Sequence, residues 1–146
     1  MKNAIQSLDR YTNWIIGALL VGVCVLYFSK IQNSGPRIEP STDAEFQEVV
    51  TKETRPVLVK FGATWCPPCR STDTALAEYE DTSSGDVKVL VLDVESNFAL
   101  SQRFRVSSIP HLLIFYKGKV VDKRVGGMDT EEIRRWLKSN EKHWKN

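Results

Sequence analysis

Cysteine and histidine are both scarce in this chain, and that scarcity narrows its chemistry. The 146 residues include three cysteines and two histidines. His111 and His143 lie far apart in sequence, and no second cysteine pair accompanies Cys66 and Cys69. The four ligands of a structural zinc site are therefore not assembled, and neither a metal nor any other cofactor is expected. Charge of one sign is also missing in excess: 20 Lys and Arg against 18 Asp and Glu leave a net charge of +2, with both signs interspersed. No basic block carries interleaved aromatics, so nucleic acid is not expected as a partner. Internal repeats and low-complexity segments are lacking as well.

One stretch, Tyr11 to Phe28, has no charge at all. Its eighteen residues span about 27 Å as a helix, enough to cross a hydrocarbon core. Tyr11 and Trp14 at one end and Tyr27 and Phe28 at the other suit the two interfaces. The segment is expected to be an uncleaved transmembrane helix (residues 11–28) after a tail (1–10) and before a polar tether (29–36). A cleaved signal peptide is the rival, but its leading region would be long, and Ser29 to Gly35 offers no A-x-A-like site. Val23 is too large for a lipoprotein site at Cys24, which is expected to be an inert packing thiol. Lys and Arg number two on each side (Lys2, Arg10; Lys30, Arg37), so loop charge does not orient the helix. Because a short tail before an exportable segment leaves the larger domain outside the cytoplasm, a single-pass membrane protein with an extracytoplasmic, periplasmic domain is expected. About 110 residues remain, enough for one compact domain (37–146).

Within that domain Trp65-Cys66-Pro67-Pro68-Cys69-Arg70 follows the apolar run Val57-Leu58-Val59-Lys60-Phe61 and precedes helical spacing at Ala75, Leu76 and Tyr79. A strand–Cys-x-x-Cys–helix junction places the first thiol at a helix N-terminus, where unpaired N–H groups and the dipole favour an anion. Pro67 and Pro68 fit the first turn. Cys69, one turn further on, is placed to attack a mixed disulfide formed on Cys66. The spacing alone also suits zinc or an iron–sulfur cluster.

Val57 to Arg70 resembles the active-site segment of thioredoxins, and Val106 to Phe115 resembles their cis-proline segment, with the separation of Cys66 from Pro110 matching without a gap. Phe115 to Val121 is similar to the family's terminal hairpin, and Gly126-Gly127 to its glycine near the active site. The resemblance covers roughly residues 37–140. It implies an α/β thioredoxin fold, with a central mixed β-sheet flanked by helices. It also implies a redox-active disulfide between Cys66 (nucleophile) and Cys69 (resolving thiol). Pro110 would be cis and lie against the disulfide, and the backbone of Ile109 would hydrogen-bond an extended substrate. Trp65 and Gly126 would border the site, Trp65 otherwise serving in plain packing.

The chain departs from the family at four places. Lys60 stands where thioredoxins usually carry a buried Asp that assists proton removal from the resolving cysteine. A neutral amine there would act as a base, a charged one would favour the thiolates, and a lysine that snorkels to solvent would do neither. Gly62 replaces a common second Trp, which is expected to open the surface near the site. Pro67 replaces the usual glycine between the cysteines, so the family's redox potential does not transfer. His111 follows the proline where Thr is common, either adding a pH-dependent charge or simply packing.

The periodicity predicts an edge strand at Arg37-Ile38-Glu39 and a helix opened by Thr42-Asp43-Ala44-Glu45, with Phe46, Val49 and Val50 inward. It further predicts a strand at 57–61, a helix at about 67–80 and a second inner strand from Val87 to Val94. A short helix capped by Asn97 runs to Phe104, a hairpin turns at Lys117-Gly118, and a last helix capped by Thr130 buries Ile133, Trp136 and Leu137. The expected activity is reduction of disulfides in exported proteins, with a membrane electron donor (or acceptor) and the bilayer as partners. The rivals are a disulfide oxidase or isomerase, and a docking subunit of an envelope assembly with dispensable thiols.

Overall fold

A computed structural model of the chain describes residues 17–24 and 42–145. Residues 17–24 are helical, with Leu19, Leu20, Val21 and Val23 exposed. Among the described residues no helix is long and apolar enough to cross a membrane. The rest of the 11–28 segment, the tether and the strand expected at 37–39 lie outside the described residues.

The elements follow in the order α1 (Asp43–Lys52), β1 (Val57–Gly62), α2 (Pro67–Thr82), β2 (Lys88–Asp93), α3 (Phe98–Arg103), β3 (His111–Tyr116), β4 (Lys119–Val125) and α4 (Thr130–Asn140). The four strands form a mixed sheet in the order β2-β1-β3-β4. β1 pairs with β2 in parallel and with β3 antiparallel, and β3 pairs antiparallel with β4. β2, expected inside the sheet, stands at one end of it among the described strands. It is also a residue shorter at each end than its apolar run, because Val87 and Val94 lie outside the ladder.

Alternation along the strands sorts the core into two layers. On one face Leu58, Leu112 and Ile114 pack against Ala75, Leu76 and Tyr79 of α2 and Ile133, Trp136 and Leu137 of α4. On the other, Val57, Val59, Phe61, Leu113 and Phe115 meet Phe46 and Val50 of α1 and Leu100 of α3. Phe104 and Phe115 cross edge-to-face at 5.3 Å there. β1 is buried along its whole length, so anything it carries toward α2 is enclosed.

The caps show how local chemistry sets the boundaries. Thr42 accepts a hydrogen bond from Glu45 N at 3.2 Å and starts α1. For α4 the expected cap was Thr130, but Asp129 takes that place. Asp129 accepts from Glu132 N at 2.7 Å, while Glu132 accepts from Asp129 N at 2.9 Å, a reciprocal capping box. Asp accepts strongly at this position, and Thr130 is left to bond Glu78 instead. Asn97 precedes α3, but its side chain makes no cap bond; its amide donates to Asp93 O at 3.0 Å. In the hairpin, Lys117 and Gly118 both have positive φ (49° and 76°), which a two-residue turn with right-handed twist requires. Asp122 on β4 ties down α4, accepting from Trp136 Nε1 at 2.6 Å and from Asn140 Nδ2 at 3.0 Å. Burial pushes its carboxyl up, but hydrogen bonds from Trp136, Asn140 and the Lys123 backbone outweigh that and hold it below the usual range.

Candidate active site

The site forms where β1 ends and α2 begins. Cys66 is the N-cap of α2, in an extended conformation, and its Sγ accepts a hydrogen bond from Cys69 N at 3.3 Å. Pro67 and Pro68 occupy the first two helical positions, where a missing N–H costs nothing. No acidic residue sits in that first turn, so no carboxylate offsets the favourable field of the helix terminus at Cys66. Cys66 and Cys69 are joined as a disulfide, with their Cα atoms 5.2 Å apart. Cys66 is 4% exposed and Cys69 is 0% exposed, so the first keeps a small exposed surface and the second keeps none. Ala63 shares their small apolar cluster, with Val94 and Ile109 packed against it.

Two loops border the disulfide. The Ile109–Pro110 bond is cis, and Pro110 is buried. Pro110 O accepts from Gly126 N at 2.9 Å, which joins the proline loop to the start of the next one. Gly126 has φ of 107°, a conformation that favours glycine. Beyond it, Met128 N donates to Thr72 Oγ1 at 3.2 Å, and Thr72 is itself fully buried in α2. Gly127 is thus held against Pro68 and Thr72 of the active-site helix, while Gly126 is tied to the proline loop. Trp65 stands 63% exposed beside Cys66, and its indole Nε1 donates to Glu95 Oε1 at 3.0 Å. Its ring is therefore surface, not core. A groove of about 430 Å³ along Arg124, Gly127, Arg135 and Trp136 has neither cysteine in its lining.

Lys60 does not snorkel. It is 1% exposed, on the face of β1 covered by α2, and its Nζ donates to Asp73 Oδ2 at 3.0 Å and lies 2.9 Å from Oδ1. Gly62 does not open the surface either. It is buried, and a β-carbon there would collide with the Lys60 Nζ and stand 2.6 Å from Lys60 Cε. The space a larger residue would fill holds the lysine head. His111 is 4% exposed with no hydrogen bond to either ring nitrogen. Burial, aided by Lys123, pushes its imidazole below the usual range, so at neutral pH it packs uncharged. Asp73 is the residue that sequence reasoning missed. Its position four residues after Cys69 was the available signal.

A cysteine at a helix N-cap, disulfide-bonded to a second cysteine one turn deeper, defines a thiol–disulfide exchange site. The family model described as Thioredoxin matches residues 37–139. The chain is 33% identical over 99 residues to the thioredoxin of Rickettsia bellii, spanning 68% of this chain and 94% of that one. It is 35% identical over 95 residues to the thioredoxin of Haemophilus influenzae, spanning 65% and 89%. With the thioredoxin of Mycobacterium tuberculosis it shares 38% over 96 residues, spanning 66% and 83%. The chain belongs to the thioredoxin family and is a thiol–disulfide oxidoreductase of that type.

Proposed function

We propose that this protein reduces disulfides of exported proteins from a membrane tether. The observation that supports the exchange most directly is the acceptor role of Cys66 Sγ at the start of α2. When the pair is reduced, a thiolate at Cys66 keeps that hydrogen bond and the field of the helix terminus. It attacks a sulfur of the substrate disulfide, forming a mixed disulfide and releasing the other substrate thiolate. The Cys69 sulfur then attacks Cys66 Sγ, the bond to the substrate breaks, and the second substrate thiol leaves. Two electrons pass to the substrate, and the Cys66–Cys69 disulfide is left behind. Trp65, the backbone of Ile109, Pro110 and Gly126 form the surface against which an extended substrate lies.

The anchor is the uncharged 11–28 segment with residues 29–36 as the tether, and the short tail before the anchor favours a domain outside the cytoplasm; a membrane electron donor then reduces the disulfide again. The same site runs in reverse as an oxidase or isomerase if its partner is an acceptor. A docking subunit with dispensable thiols has no use for a polarised Cys66. The experiment is insulin reduction with dithiothreitol by the purified protein, beside a Cys66→Ser/Cys69→Ser variant, which should show no activity above background. Activity in that variant would remove the thiols from the account. Carbonate washing and protease treatment of spheroplasts test the tether. Release of the protein by carbonate, or protection of the domain, would overturn the placement.

A further inference from the structure

Lys60 is the charged group that simple exchange leaves unexplained. A buried ammonium needs a counter-charge and hydrogen bonds, and Asp73 supplies both. Asp73 lies one helical turn past Cys69, so the two side chains share a face of α2, the face under which Lys60 runs. A β-carbon at Gly62 would fall against the lysine head and 3.2 Å from Cys69 Cβ. The ammonium and the resolving cysteine therefore border the same glycine-sized space. The ammonium lies against both carboxylate oxygens, donating to Oδ2 at 3.0 Å and pairing with Oδ1 at 2.9 Å. Glycine at 62, lysine at 60 and aspartate at 73 make one arrangement, in which each residue accounts for the next.

We infer that the Lys60–Asp73 pair governs the thiolate of Cys69: Lys60 favours it, and Asp73 is a positioning residue that holds Lys60 in place. The inference rests on Cys69 being the resolving thiol. In that step Cys69 gives its proton to solvent, its sulfur bonds to Cys66 Sγ, and the electron pair of the Cys66–substrate bond leaves on the substrate sulfur, which is then protonated. Negative charge develops on Cys69 before the new bond forms, and an adjacent cation lowers its cost. Lys60 from β1 borders the same space as Cys69 and is paired with Asp73 from α2. Arg70 is exposed, Glu95 is engaged with Trp65, and His111 on β3 is buried and uncharged.

The test is the pH profile of resolution in the purified full-length protein. The reduced protein reacts with 5,5′-dithiobis(2-nitrobenzoate): the first thionitrobenzoate released reports attack by Cys66, and the second reports resolution by Cys69. In Lys60→Met the second phase should slow about tenfold near neutral pH, its profile moving up by about one unit, while the first phase changes less. In Lys60→Met/Asp73→Asn the profile should return part of the way, because the uncompensated carboxylate is also gone. A merely structural pair would not move a pH profile in this order. An unmoved profile in Lys60→Met, or a double variant as slow as the single one, overturns the inference. If Lys60→Met does not fold, Lys60→Gln replaces it with the same expected shift. Absence of a second phase in the unmodified protein would instead overturn the assignment of Cys69, and the inference with it.

Discussion

Gly62→Ala adds one methyl group at the point where β1, Lys60 and Cys69 meet, and its cost can be worked from the structure. The backbone of Gly62 is not in the left-handed region, so alanine is tolerated there. On backbone grounds alone the change should stabilise by about 0.4–1 kcal/mol, through the unfolded chain. Against this, the new β-carbon would sit 2.6 Å from Lys60 Cε and 3.2 Å from Cys69 Cβ. The lysine head must move, and crowding a packed interior costs about 1–3 kcal/mol. Moving it also breaks the ion pair with Asp73; losing one partner of a buried pair costs about 3–5 kcal/mol. The Asp73 side chain is 32% exposed and solvent recovers part of that, so the lower end applies. The expected net loss is about 3–5 kcal/mol, read by urea unfolding of the oxidised protein with tryptophan fluorescence. The control is the same substitution in a Lys60→Ala background. With the lysine head gone, the methyl group has room, and Gly62→Ala should then cost nothing or stabilise slightly. The difference between the two backgrounds is the coupling energy. A loss under about 0.5 kcal/mol in the native background, within the range of inconsequential substitutions, or an equal loss in both, would refute the placement of the lysine head.

His111 gives a pH signature. Its folded-state pKa lies below the ordinary value of 6.5, so its contribution is fully present above that pH and is lost as pH falls below it. His111→Thr should flatten the fall in unfolding free energy as pH drops below about 6.5; an unchanged slope would remove the histidine from that account. Asp129→Ala should cost about 1 kcal/mol and Thr130→Ala less, since Asp129 makes the capping box. Thermal unfolding of both variants checks the order, and the reverse order would restore Thr130 as the cap.

Periodicity carried most of the fold, because α1, α2 and α4 each bury one face that the sequence displays and β1 and β3 bury their apolar runs. The active-site helix was legible from Cys66, Pro67 and Pro68 because its start is fixed by local chemistry. The cap of α4 was misread because Asp129 and Thr130 are adjacent and both are good caps; only the reciprocal bond to Glu132 separates them. Lys60 stood out as a charge in an apolar strand, but its partner did not. Asp73 looks like an ordinary helix-surface residue between two threonines, and only the packing of α2 on β1 brings it to the amine. Gly62 was seen as an absence, and its meaning depends on a side chain two residues away filling the gap. Contacts of this kind belong to tertiary structure and leave no periodic trace.

Substrate trapping by the two single-cysteine variants tests the central claim most directly. Cys69→Ser keeps the N-cap thiol and lacks the group that releases the substrate, so it should accumulate mixed disulfides, visible as adducts on non-reducing gels and lost on reduction. Cys66→Ser should trap almost none, because the remaining thiol is 0% exposed. Equal trapping by both variants, or trapping by Cys66→Ser alone, would contradict the assignment of Cys66 as the attacking thiol.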